Sequence, residues 1–196
     1  MKKSFLILAI CFFAFQTTMA QETKPAAAPT PAIPAPTATA KTVTADPADV
    51  STLDGIMKAV YDSISGDAGQ TRNWDRFRSL FHADARLIPT GKNAQTSVVN
   101  AHAYTPEGYI ERASPFFAKE GFYERELSRK VETYGNITHV FSTYASYHTN
   151  KKDETPFARG INSFQLMFDG KRWWVVTIYW QAETPDNPLP DKYLKN

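Results

Sequence analysis

Proton transfer near neutral pH is the chemistry that four histidines, His82, His102, His139 and His148, would most readily supply. Their positions bring no two of them together. His82 follows a helix end, where a cation suits the dipole. His139 and His148 fall near opposite ends of one strand, and His102 precedes a helix. Arg159 and Trp180 make a more suggestive pair, because a two-residue turn at Asp169-Gly170 would set them opposite each other on neighbouring strands. An arginine over an indole makes a cation–π contact and can hold a ligand carboxylate with both arms. The same arginine could instead be tied to Glu183 or Glu126 as structural support. Tyr144 could donate a hydrogen bond to a ligand carbonyl, or stand at the sheet rim. With Trp74, His148, Ser163 and Gln165, these complete the candidate ligand-binding residues, and none is given a catalytic role. The chain has no H-E-x-x-H or other dense His/carboxylate spacing, no G-x-S-x-G, no phosphate loop and no dinucleotide-binding glycine motif. No metal and no cofactor is therefore expected.

A sheet must carry these side chains. Phe122–Thr133, Ile137–Thr149, Phe157–Phe168 and Arg172–Ala182 are rich in Val, Ile, Thr, Tyr, Phe and Trp and read as four strands joined in series. A turn that sets Phe168 opposite Lys171 gives one face Arg159, Ser163, Gln165, Trp174, Ile178 and Trp180. The other face then carries Asn162, Phe164, Leu166, Trp173, Val175 and Tyr179. A bulge would swap part of this assignment. If Tyr134 pairs with Ile137, Leu127, Arg129, Val131, Val140, Ser142, Tyr144 and His148 share a face of the first hairpin. Upstream, Leu53, Ile56, Met57, Val60 and Ile64 recur at helical spacing and predict a helix over 52–65. A second helix, 74–81, follows Asn73 as its N-cap, and Ala85–Pro89 reads as a short strand. A third helix begins at Thr105 and Pro106, runs to about Gly121, and should kink at Pro115.

Lys2 and Lys3, an apolar run from Phe5 to Phe15 and the small residue Ala20 predict a signal peptide over 1–20. Residues 21–50, with Pro and Ala abundant and no aromatic side chain, read as a disordered linker. The folded domain is expected over 51–184 and a Pro-rich tail over 185–196. Of 22 basic residues, removal of Lys2 and Lys3 leaves 20 against 20 acidic ones, so no basic stripe for nucleic acid survives. The single cysteine, Cys11, is removed with the signal, which leaves neither a disulfide nor a thiolate.

Helices followed by strands predict an α+β fold. The run Trp74-Asp75-Arg76-Phe77-Arg78-Ser79-Leu80-Phe81, then Ala83-Asp84-Ala85, the stretch Gly160–Leu166, and Asp169-Gly170-Lys171-Arg172-Trp173-Trp174-Val175 with Trp180 resemble the nuclear transport factor 2-like superfamily over about 52–183. That group includes ketosteroid isomerases, scytalone dehydratase and polyketide-cyclase-like proteins. The resemblance implies a cone-shaped, curved antiparallel sheet wrapped around three N-terminal helices, also called cystatin-like. It further implies a cavity for a small apolar ligand, and commonly a homodimer. Its enzymes use an Asp or an Asp–His pair, and no residue here matches those position by position. The expected function is binding of a small, largely apolar molecule by an exported (periplasmic or extracellular) domain, with no nucleic-acid partner and no membrane contact after signal cleavage. The alternatives are an isomerase-, dehydratase- or cyclase-type enzyme using a cavity His or carboxylate, and a non-catalytic dimerisation module.

Overall fold

The computed structural model describes residues 43–93 and 95–195. The expected signal peptide and most of the expected linker lie outside the described residues. Among the described residues four α-helices, α1 (Pro47–Val50), α2 (Leu53–Ile64), α3 (Trp74–Leu80) and α4 (Pro106–Phe117), accompany six strands. The strands are β1 (Phe81–Lys92), β2 (Val99–Ala101), β3 (Tyr123–Tyr134), β4 (Ile137–Tyr147), β5 (Ala158–Phe168) and β6 (Trp173–Ala182). Ordered structure starts before the expected boundary at 51: Asp46 caps α1, and Ala45 and Val50 are buried in the core.

The helices begin where their caps dictate. Thr52, Asn73 and Thr105 each accept a hydrogen bond from the backbone N–H three residues on, at 2.9, 2.9 and 3.1 Å. The apolar stripe of α2 buries Ile56, Met57 and Val60 against Phe77 and Leu80 of α3 and against Val140, Phe164, Leu166 and Val175 of the sheet. Pro115 falls in the last turn of α4, which continues to Phe117, so only the bond to the Glu111 carbonyl is forgone.

The curved sheet has strand order β2-β1-β6-β5-β4-β3. β3 to β6 form the expected antiparallel series. The sheet is not antiparallel throughout, because β1 runs parallel to β6 and is longer than the five-residue strand expected. Two further departures matter for the site. The β5–β6 connection is wider than two residues, and Phe168 faces Trp173 instead of Lys171. Asp169 explains this: its carboxylate accepts the N–H groups of Lys171 and Arg172, both at 2.8 Å, and Trp174 Nε1 at 2.7 Å, which closes a four-residue loop. These bonds hold the Asp169 carboxyl down to about 2. Bulges then interrupt β6 beside Gln165 and Leu166, and β3 at Leu127.

The bulges decide which side chains face the helices. Leu166 pairs with Val175 as parity requires, but past the β6 bulge Phe164 faces Ile178 and Asn162 faces Trp180. Ile178 and Trp180 therefore join Asn162 and Phe164 on the inner face, and Tyr179 turns outward. In β3, Val131 and Arg129 pair with Val140 and Ser142 as expected. Past Leu127, Glu126 faces Tyr144 and Glu124 faces Ser146. Leu127 is left 40% exposed, and two glutamates take the inner row instead.

Candidate functional site

Between α2, α3, α4 and the inner face of the sheet lies a cavity of ≈ 230 Å³. Val60, Tyr61 and Ile64 of α2, Phe77 of α3, Leu87 of β1 and Tyr109 of α4 form one side. Phe122, Glu124, Tyr144, Ser146, Phe157, Ala158, Asn162, Phe164, Ile178 and Trp180 form the other. Gly160 lies opposite Tyr144, and a Cβ there would stand 2.6 Å from the tyrosine oxygen. The missing side chain is what lets this ring lie over the strand. Phe122 and Phe157 stand 6.2 Å apart, with Phe157 exposed on its outer side.

The polar floor is one ordered network. The Glu124 carboxylate accepts from Asn162 Nδ2 and from Ser146 Oγ, both at 3.1 Å. Asn162 Nδ2 also donates to the Tyr61 oxygen at 3.2 Å. Ser142 Oγ donates to Glu126 at 2.6 Å, so its single proton is committed and Tyr61, 2.7 Å away, must donate to it. Glu126 is neutralised by Arg129 at 2.8 Å, and Arg129 also reaches Asp54 at 2.9 Å. Among the described residues no cation pairs with Glu124. Burial pushes its carboxyl up to about 7, against the hydrogen bonds from Asn162 and Ser146 that favour its charged form. Burial, with the Glu124 charge nearby, also pushes the Tyr109 and Tyr144 hydroxyls up, so both stay protonated. Neither hydroxyl has a hydrogen-bond partner among the described residues, so both are free to donate into the hollow.

Of the residues singled out from sequence, Tyr144 and Trp180 line the cavity. The other five do not. Trp74 packs at 5.6 and 6.0 Å on Phe77 and Phe117, in the layer behind. His148 stacks at 4.3 Å on the back of Phe157 and does not reach the hollow. Arg159 is on the outer face and forms a two-armed ion pair with Glu183, at 2.8 and 3.1 Å, instead of lying over Trp180. Ser163, bonded to His139 at 3.1 Å, and Gln165 are also on the outer face. The sequence reading missed Glu124, Ser146, Asn162, Tyr61 and Tyr109. Its one usable signal was Glu124 and Glu126, two residues apart on a strand, which a single bulge turns inward together. Among the described residues no group of three or more His, Cys, Asp or Glu side chains could hold a metal ion.

No family model matches this chain, and no curated protein matches it. Solved structures do. The β subunit of a candidate aromatic-ring-hydroxylating dioxygenase from Novosphingobium aromaticivorans is 13% identical over 68% of this chain and 88% of its own, with a TM-score of 0.52. A protein of unknown function with a cystatin-like fold from Nostoc punctiforme is 11% identical over 70% and 92%, with a TM-score of 0.49. A nuclear transport factor 2-like protein of unknown function from Silicibacter pomeroyi is 9% identical over 68% and 94%, with a TM-score of 0.47. At such identities the likeness is one of fold. The chain is an α+β protein whose helices and six-stranded curved sheet are set around a cavity, and the solved structures it resembles include nuclear transport factor 2-like and cystatin-like proteins.

Proposed function

We propose that this protein binds a small, largely apolar molecule carrying one polar group, and that it does so after export to the periplasm or the cell exterior. The observation that carries the reading is the hollow itself. Aromatic and aliphatic walls enclose one carboxyl group and the partnerless hydroxyls of Tyr109 and Tyr144. Such a hollow with a few convergent polar groups is the usual form of a ligand site. Lys2, Lys3 and the Phe5–Phe15 run support export. Native mass spectrometry of the protein purified from its own source tests the binding reading. A retained small molecule, lost when the cavity is blocked by Ala158→Trp, is the expected result, and a ligand-free mass at every preparation sinks it.

Glu124 favours a second reading, acid–base catalysis. A carboxyl near 7 exchanges protons readily at neutral pH, and the Tyr144 hydroxyl is free to polarise a ligand carbonyl. Deuterium exchange at carbon in a bound ketone, followed by NMR and abolished by Glu124→Gln, is the result this reading requires.

A further inference from the structure

We infer that the cavity takes a small organic cation, a protonated amine on a one- or two-ring apolar body. This rests on the binding reading and names the polar group of the ligand. Among the described residues that line the cavity, Glu124 is the one acid, and none is a lysine, arginine or histidine. Its carboxylate is held by Asn162 and Ser146, both neutral. Two carboxylate oxygens offer about four acceptor sites, so room remains for a ligand N–H. Above pH 7, where Glu124 is charged, a neutral ligand would leave this part-buried carboxylate without a counter-ion, and an anionic one would face it directly; both are unfavourable.

The walls point the same way. Tyr61 meets Phe164 at 6.1 Å, Phe122 meets Phe157 at 6.2 Å and Tyr109 meets Trp180 at 6.4 Å, so ring systems surround the hollow in pairs. Ring faces are electron-rich and attract ammonium groups. A space of ≈ 230 Å³ equals about eight waters at ~30 Å³ each, enough for one or two rings and too little for a larger body.

The charged groups beside Glu124 are accounted for. Outside the cavity, Lys58 pairs with Asp62, and Arg129 pairs with both Asp54 and Glu126. Arg125 lies over Tyr147 on the outer face. From α2, α4 and β4, the groups facing Glu124 are the phenols Tyr61, Tyr109 and Tyr144, protonated throughout the range used below.

Isothermal titration of the full chain with three molecules of nearly one shape tests the inference: phenethylamine, 2-phenylethanol and phenylacetate. At pH 8 the amine is expected to bind at least tenfold more tightly than the alcohol, about 1.4 kcal/mol, with phenylacetate weakest. The amine's advantage should shrink as pH falls from 8 to 5.5, because Glu124 takes up a proton while the amine stays charged. Glu124→Gln should bring the amine/alcohol ratio within threefold. An alcohol that matches the amine in the wild type, or a ratio that does not change with pH, overturns the cation while leaving the cavity as a binding site. Failure of all three to bind overturns both readings. The pH series on wild-type protein keeps the test decisive even if the variant misfolds.

Discussion

An enclosed carboxyl group that lacks a counter-cation favours its protonated form, and Glu124 is in that position whenever the cavity holds no ligand. Its folded pKa, about 7, lies above the ordinary value of 4.5. The resulting stability is therefore fully present below pH 4.5 and is lost as pH rises through 7. Glu124→Gln removes this liability. In thermal melts the variant should gain on the wild type as pH is raised from 5 to 8, reaching about 1–2 kcal/mol at the top of that range; a gap that stays constant contradicts the enclosure of the carboxyl. Arg159 leads to the opposite expectation. Its pair with Glu183 is on the outer face and half-open to water, so Arg159→Met should cost about 0–1 kcal/mol and change ligand affinity less than twofold in titration. The residue types at the site were all readable in the sequence. Which of them face inward was not, because each assignment passed through a bulge.

At the scale of the element, the β3 bulge is what builds the site. A strand has a period of two, so the one extra residue, Leu127, puts Glu124 and Glu126 on the face that Arg125 and Leu127 would otherwise take. Deleting Leu127 should therefore leave Glu126 on Tyr144 and Glu124 on Ser146 in a strand without a bulge, so the pH dependence of ligand binding, read by titration, should persist; its loss would contradict the register. Helix ends were legible because Thr52, Asn73 and Thr105 act locally. The strands were legible from their β-branched and aromatic runs. The bulges and the wide Asp169 loop were not, since each depends on a side chain or partner strand outside the local pattern. Arg72 escaped notice for the same reason. It is 5% exposed, lies over Phe117, and donates to the carbonyls of Ile64, Gly66, Asp67 and Gln70 where α2 ends. Arg72→Met should leave the Ile64 and Gln70 carbonyls unpaired, while those of Gly66 and Asp67 keep the N–H groups of Phe122 and Gln70, and cost about 2–4 kcal/mol in urea denaturation.

Across the whole molecule, the segment after β6 is a strap over the outer face of the sheet. Leu189 N–H donates to Glu183 at 2.9 Å, and Thr143 donates to the Tyr193 carbonyl at 2.6 Å. The Tyr193 ring rests on Phe141 at 5.1 Å, and Lys130 donates to the Lys195 carbonyl at 3.0 Å. Ending the chain at Thr184 should uncover Phe141, lower the melting temperature by several degrees and raise the binding of an apolar dye; an unchanged melt would mean that the strap contributes nothing. Its prolines exclude a central strand and left a surface strap or a disordered end as the readings of this tail.

The parallel pairing of β1 with β6 has a temporal consequence. Phe81 cannot meet Val175, nor Leu87 meet Ile178, until almost the entire polypeptide has been made. A chain released gradually, from a ribosome or through a translocation pore, can zip β3, β4 and β5 together while its first long strand still waits. The last ladder to form thus joins the two ends of the domain, and until it closes the hollow has no finished wall.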